Sequence, residues 1–167
     1  MSGSFIFYFH LLGFGLMTTS IAIGWFLNFR FTASQGHDVR ESVESMMRTT
    51  FVLFPIAALL LLATGIGNIF NLYYGTPLLW YQQGWLVIKI ILFGVMLVNG
   101  TVFGPLTNRK RMKIIRNTAE DAATEAGQKN LKYLNKQMNW FFTVQTVLLL
   151  GIVFFSTFGS SKHPGYF

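Results

Sequence analysis

The chain lacks cysteine altogether, so it has no disulfide, no thiolate metal ligand and no cysteine nucleophile. Charge is also scarce: Asp, Glu, Lys and Arg make up 11% of the 167 residues, against about 25% in a typical soluble domain. Hydrophobic residues make up 52%, and 18 residues are phenylalanine. This composition argues against a soluble enzyme and predicts one membrane-embedded domain over residues 1–167.

Four long apolar segments predict four transmembrane helices. A helix needs about 20 mainly apolar residues to cross the hydrocarbon core of a bilayer. The segments that reach this length are 5–29, 51–70, 85–106 and 140–158. The predicted fold is therefore all-α, an integral membrane four-helix bundle. The first segment lacks the basic start and small-residue end of a signal peptide, so we expect it to be retained.

The distribution of Lys and Arg predicts the orientation of the chain. The link between spans 1 and 2 holds three of these residues and the link between spans 3 and 4 holds eight, whereas the opposite side has Lys162 alone. Positive loops stay in the cytoplasm. We therefore expect a multi-pass protein of a bacterial plasma membrane with both termini on the periplasmic side. The link between spans 3 and 4 is rich in helix formers and predicts a basic, helical cytoplasmic connection.

Basic residues cluster at the start of that link, and much of the net charge of +7 comes from the link as a whole. The cluster comprises Arg109, Lys110, Arg111, Lys113 and Arg116. It is a plain topology signal on one interpretation and a site for anionic lipid headgroups on the other. The expected partners are the lipid bilayer and other membrane subunits or further copies of the chain, and no nucleic acid.

Ionisable side chains inside a span are costly and are candidates for function. The four spans hold two of them, His10 and Lys89, and no acidic residue, which argues against a carboxylate proton relay. The predicted antiparallel topology puts both side chains roughly 6–8 Å below the outer boundary, at 1.5 Å rise per residue. Asn68, near the end of span 2, falls at a similar level.

Helical phase groups several of these residues. On span 1 a face of small or polar residues follows three- and four-residue spacing through His10, Gly13, Met17, Ser20 and Gly24. Such a face permits close helix packing or leaves space for a flat cofactor. Met17 and Met96 fall at one depth, near the middle of the membrane.

His10 and Lys89 each have two interpretations. His10 is a cofactor ligand or proton carrier, or it donates a hydrogen bond across the bundle. Lys89 pairs with an anionic group of a cofactor, or it extends to the outer headgroups. The chain has three histidines, and no helix carries two of them at metal-binding spacing. A haem on His10 would be five-coordinate, or would take a second ligand from Lys89, the tail or another subunit.

Local motifs resemble a known group of membrane proteins. They are His10 followed by Gly13 and Gly15, Pro55 followed by Thr64-Gly65-Ile66-Gly67, Trp85-Leu86 followed by Lys89, and Gly100 and Pro105 before the basic run. With these motifs the chain resembles four-helix bacterial integral membrane proteins of unknown function. It is more distantly similar to the CopD copper-resistance membrane domain and to the membrane protoporphyrinogen oxidase family. The oxidase resemblance implies haem b at His10 and a functional lysine at Lys89.

These observations together predict a haem- or quinone-associated redox protein that takes part in electron transfer. Its expected cofactor-binding residues are His10, Lys89, Asn68, Met17 and Met96, with His10 as the ligand of haem iron. One alternative is a non-catalytic subunit of a larger respiratory or photosynthetic membrane complex, and another is a copper or small-solute permease. The redox function requires His10 and Lys89 to face one cavity, whereas a permease requires a continuous polar path. No residue is singled out as catalytic.

Overall fold

The computed structural model describes residues 2–34, 37–73, 80–117 and 125–158. The helices are α1 (Ser2–Ala33), α2 (His37–Tyr73), α3 (Gly84–Val98), a π-helical segment (Asn99–Phe103), α4 (Gly104–Asn117) and α5 (Glu125–Thr157), with a 3₁₀ turn at Trp80–Gln82. Within these ranges, four helical stretches are long and apolar enough to cross a membrane: Ser4–Ala33, Asp38–Asn71, Gly84–Ile115 and Glu125–Thr157. The all-helical fold and the four long apolar helices are thereby confirmed, and each helix extends beyond its predicted span.

Neighbouring helices run antiparallel. Along α1 and α2, Ile6 lies beside Gly67 and the Ser20 hydroxyl bonds to the Thr50 carbonyl. At one end of the bundle α1 and α3 begin and α2 and α5 terminate. We call it the His10 end. The opposite end, where α4 and the start of α5 lie, is called the Arg111 end.

A second antiparallel pair is formed by α3 and α5. Leu92 lies beside Gly151, and the side-chain amide of Gln145 donates to the Met96 carbonyl over 3.1 Å. Helix α1 joins the two pairs, because the Trp25 indole N–H donates to the Thr146 hydroxyl of α5 over 3.0 Å. The four helices are therefore cross-linked in the middle of the bundle.

Two buried clusters fill the bundle from its centre to the Arg111 end. The central cluster comprises Met17, Ile21, Phe54, Ala57, Ala58, Leu61, Met96, Leu149 and Ile152. The second cluster comprises Leu27, Phe31, Val43, Met47, Ile115, Leu131, Met138, Phe141 and Phe142.

Buried side chains become fewer toward the His10 end. Among the described side chains, none is buried before Gly13 on α1, after Leu61 on α2 or after Ile152 on α5. Helix α3 contributes Leu86 alone before Met96. This end therefore has the fewest buried side chains of the described bundle.

A π-helical segment, Asn99–Phe103, interrupts the third span where α2 and α5 approach it most closely. A Cβ atom on Gly100 would lie 2.1 Å from the Phe54 ring and 2.6 Å from Nε2 of Gln145. Glycine at this position is therefore what permits the close approach of both neighbours. Single π turns inside helices often mark sites of local strain or function.

Candidate functional site at the His10 end

His10 lies half-buried between α1 and α2. Its Nδ1 atom is 2.9 Å from the Thr64 hydroxyl oxygen, and its Cε1 atom would lie 3.6 Å from a Cβ on Gly65. One turn to either side, Ile6 packs on Gly67 and Gly13 packs on Leu61. The imidazole is thus held in a tight helix pair, with glycine beside the ring.

Lys89 lies at the level of His10 on the third span. Met17 and Met96 share the central cluster, and His10 and Lys89 each precede their methionine by seven residues. Seven residues of helix rise about 10 Å, and α1 and α3 both start at the His10 end. His10 and Lys89 therefore lie on the same side of the central cluster, each about 10 Å from it along its helix.

The Lys89 side chain leans toward the His10 end. Its ammonium nitrogen is 5.9 Å from the centre of the Trp85 ring, one turn nearer that end. A cation over an aromatic face is attracted by the ring quadrupole. Lys89 therefore lies half-buried at the end of the bundle with the fewest buried side chains.

Asn68 completes the polar set at this end. It is half-buried and lies one turn beyond Thr64 on α2, on the same side of that helix. Three of the five predicted cofactor-binding residues, His10, Lys89 and Asn68, are therefore found in one part of the molecule.

Met17 and Met96 are placed elsewhere. Met17 is 0% exposed and Met96 is 1% exposed, and all the other members of their cluster are apolar. Both thioethers fill the core about two turns from His10, which is the usual role of methionine in an irregular interior. The structure does not bring them to His10.

The middle of the described bundle has no room for a flat cofactor. A cavity of about 20 Å³ lies there beside Ser20, Thr50 and Gln145, which is space for about one water molecule. The glycine face of α1 is filled by its neighbours, and a Cβ on Gly24 would lie 2.5 Å from the Phe142 ring. In this region small residues serve close helix packing.

The donor groups at the His10 end suit a haem or quinone better, because an imidazole and an ammonium group lie at one level there. Within the described part of the chain, no three His, Asp or Glu side chains form a metal-binding group. Among the described side chains at this end, His10 is the imidazole that would ligate an iron.

No family model, curated protein or solved structure matches this chain. The resemblance to the CopD domain and the protoporphyrinogen oxidase family therefore stays a prediction. The function of the chain has to be inferred from its own residues and their arrangement.

A second polar cluster, which sequence reasoning missed, lies at the Arg111 end. Arg111 is fully buried, and its Nη1 atom donates to Oδ1 of Asn28 over 2.9 Å. Its guanidinium carbon is 3.8 Å from the centre of the Phe31 ring, a close cation–π contact. Asn28 in turn donates to Asn139 of α5 over 2.5 Å.

Helix α2 joins this cluster through Glu44, which is 2% exposed. The side-chain amide of Asn108 donates to a Glu44 carboxylate oxygen. The charges of Glu44 and Arg111 attract each other. Side chains of α1, α2, α4 and α5 therefore meet in one polar network, which is buried except at Asn139.

Arg111 differs from the neighbouring basic residues because its side chain belongs to this network. Arg109, Lys110 and Lys113 are exposed, as a lipid-binding surface requires, whereas Arg111 points into the bundle. The side chain of Arg116 lies outside the described residues. A count of charged residues does not distinguish these cations from one another. Because each helical residue is rotated by 100° from the one before it, Arg111 points into the bundle while its neighbours point outward.

Proposed function

We propose that this chain is a redox membrane protein that binds haem b or a quinone at the His10 end. The observation that carries the proposal is that His10 and Lys89 lie at one level, at the end of the bundle with the fewest buried side chains. The imidazole is suited to ligate iron or to hold a proton. Lys89 is suited to pair with a propionate or another anionic group.

The residues at this end have separate tasks in the proposal. His10 binds the cofactor, Lys89 neutralises its anionic part, and Asn68 offers an amide one turn farther out. Haem or quinone supplies the one-electron chemistry when bound. The packed central cluster of α1, α2, α3 and α5 keeps water and solutes from passing through the bundle.

Absorption spectra of the detergent-purified chain, oxidised and dithionite-reduced, test the proposal. For protein made in cells supplied with haem, we expect a Soret band in the wild type that His10→Ala abolishes, because the single imidazole ligand is lost. The matched control is His37→Ala, which removes a histidine that lies outside the four predicted spans and should keep the band. Lys89→Ala should weaken haem retention, and Lys89→Arg should largely preserve it.

A Soret band that persists in His10→Ala would contradict the assignment of the ligand. If the wild type has no Soret band, solvent extraction and chromatography of the purified protein test whether it carries a bound quinone instead. Absence of both cofactors would overturn the redox proposal and favour a non-catalytic subunit of a membrane complex. Co-purification of a stoichiometric membrane partner would then be the expected finding.

We further propose that the chain lies in a bacterial plasma membrane with the His10 end outside and the Arg111 end in the cytoplasm. The uneven distribution of Lys and Arg supports this orientation. The exposed side chains of Arg109, Lys110 and Lys113 would then lie at the cytoplasmic leaflet, where anionic lipid headgroups attract such clusters.

Labelling of single cysteines measures the orientation, since the chain has no cysteine of its own. With a membrane-impermeant maleimide on intact spheroplasts, we expect the Ser4→Cys variant to react and the Lys110→Cys variant to stay unlabelled until the membrane is permeabilised. Neither side chain is packed inside the folded bundle. The reverse pattern would show that the positive-inside prediction is wrong.

A further inference from the structure

We infer that Thr64 is a positioning residue that decides which nitrogen of His10 faces the cofactor. The choice of nitrogen depends on hydrogen bonds alone, and its consequence for the cofactor rests on the function proposed above. Thr64 belongs to one of the local motifs named above, but no sequence pattern pairs it with His10, because 54 positions separate the two residues.

The Thr64 hydroxyl has two close neighbours. Its oxygen lies 2.6 Å from the Leu60 carbonyl oxygen and 2.9 Å from Nδ1 of His10. A hydroxyl has one hydrogen, and a carbonyl oxygen can only accept. The hydroxyl therefore donates to Leu60, one turn back on its own helix, and can only accept from His10.

This arrangement fixes the tautomer of the imidazole. Because Thr64 accepts, Nδ1 of His10 must carry a hydrogen. A neutral imidazole has one N–H, so Nε2 is left with a free lone pair. Histidines that bind metals are commonly held in this way, with one ring nitrogen donating to a fixed acceptor and the other facing the metal.

The tautomer of His10 limits which groups of a cofactor its Nε2 atom can bind. A bare Nε2 binds haem iron or accepts a hydrogen bond from a hydroxyl group, such as that of a hydroquinone. It cannot donate to the carbonyl oxygen of an oxidised quinone. Of the proposed cofactors, His10 in this tautomer therefore favours haem or a reduced quinol, and a hydrogen bond to an oxidised quinone would have to come from Lys89 or Asn68.

Nuclear magnetic resonance of protein labelled with ¹⁵N in its histidine rings tests the inference without any cofactor. The chain has three histidines, so the His10 signals are identified by their loss in His10→Gln. In detergent, at a pH where the imidazole is neutral, we expect a protonated Nδ1 and an unprotonated Nε2 for His10. Thr64→Val, which removes the hydroxyl at nearly constant shape, should shift His10 toward the Nε2–H tautomer.

Thr64→Ser keeps the hydroxyl and should retain the wild-type tautomer, which separates positioning from a general effect on folding. Predominance of the Nε2–H form in the wild type, or an unchanged tautomer in a folded Thr64→Val variant, would overturn the inference. In the haem-loaded protein we expect Thr64→Val to weaken haem binding by about 10–100-fold, as for other residues that orient a metal ligand. An Nδ1–H signal together with no Soret band would leave the role of Thr64 standing and remove the haem proposal.

Discussion

Replacing Arg111 with methionine is expected to lower the free energy of unfolding by about 3–5 kcal/mol, the usual cost of removing one partner from a buried charged group. The substitution abolishes the hydrogen bond to Asn28 and the contact with the Phe31 ring, and it removes the positive charge that attracts Glu44. Glu44 would stay buried without the attraction of that charge. Methionine fills much of the same volume, so the loss reflects polarity rather than a cavity.

The measurement is reversible unfolding in detergent micelles, followed by circular dichroism of the helices. Lys110→Met is the matched control, because it removes an exposed cation next in sequence and should change stability by about 0.5 kcal/mol or less. Adding Glu44→Gln to Arg111→Met should recover part of the loss, since no buried charge is then left over. A loss in Arg111→Met no larger than in Lys110→Met would refute the buried network.

Gly100→Ala is the second substitution with a large expected effect. The new methyl carbon would lie 2.1 Å from the Phe54 ring and 2.6 Å from the Gln145 amide, and both are buried. The Phe54 ring and the Gln145 amide must both shift, which costs about 1–3 kcal/mol in a packed interior. We expect a lower unfolding midpoint and a weakened link between Gln145 and the Met96 carbonyl.

Gly94→Ala provides the control on the same span. Nothing lies within 4 Å of a Cβ placed on Gly94, and this glycine is exposed. A methyl group there should leave stability unchanged or raise it slightly, because alanine favours the helix. If both alanine variants unfold alike, the close approach of Phe54 and Gln145 to Gly100 is not a feature of the folded protein.

Much of the architecture is determined by the sequence alone. The number of long helices and their approximate positions depend on the length of apolar runs, which is a local property of the chain. The shared level of His10 and Lys89 also comes from topology, because two helices that run in the same direction place equal offsets at equal depth. The buried face of α1 was also predictable from the sequence, because helical periodicity aligns Gly13, Met17, Ser20 and Gly24.

The partners of each polar side chain were decided by the tertiary structure. The bonds of His10 to Thr64, Arg111 to Asn28 and Asn28 to Asn139 join residues 54, 83 and 111 positions apart. Such pairs depend on how each helix is rotated about its axis and how far it slides along its neighbour, and composition records neither quantity. A difference of one residue turns a side chain by 100°. That rotation separates buried Arg111 from exposed Lys110. Met17 and Met96 share a helix face with His10 and Lys89, and a rise of about 10 Å along each helix is what places the methionines in the core.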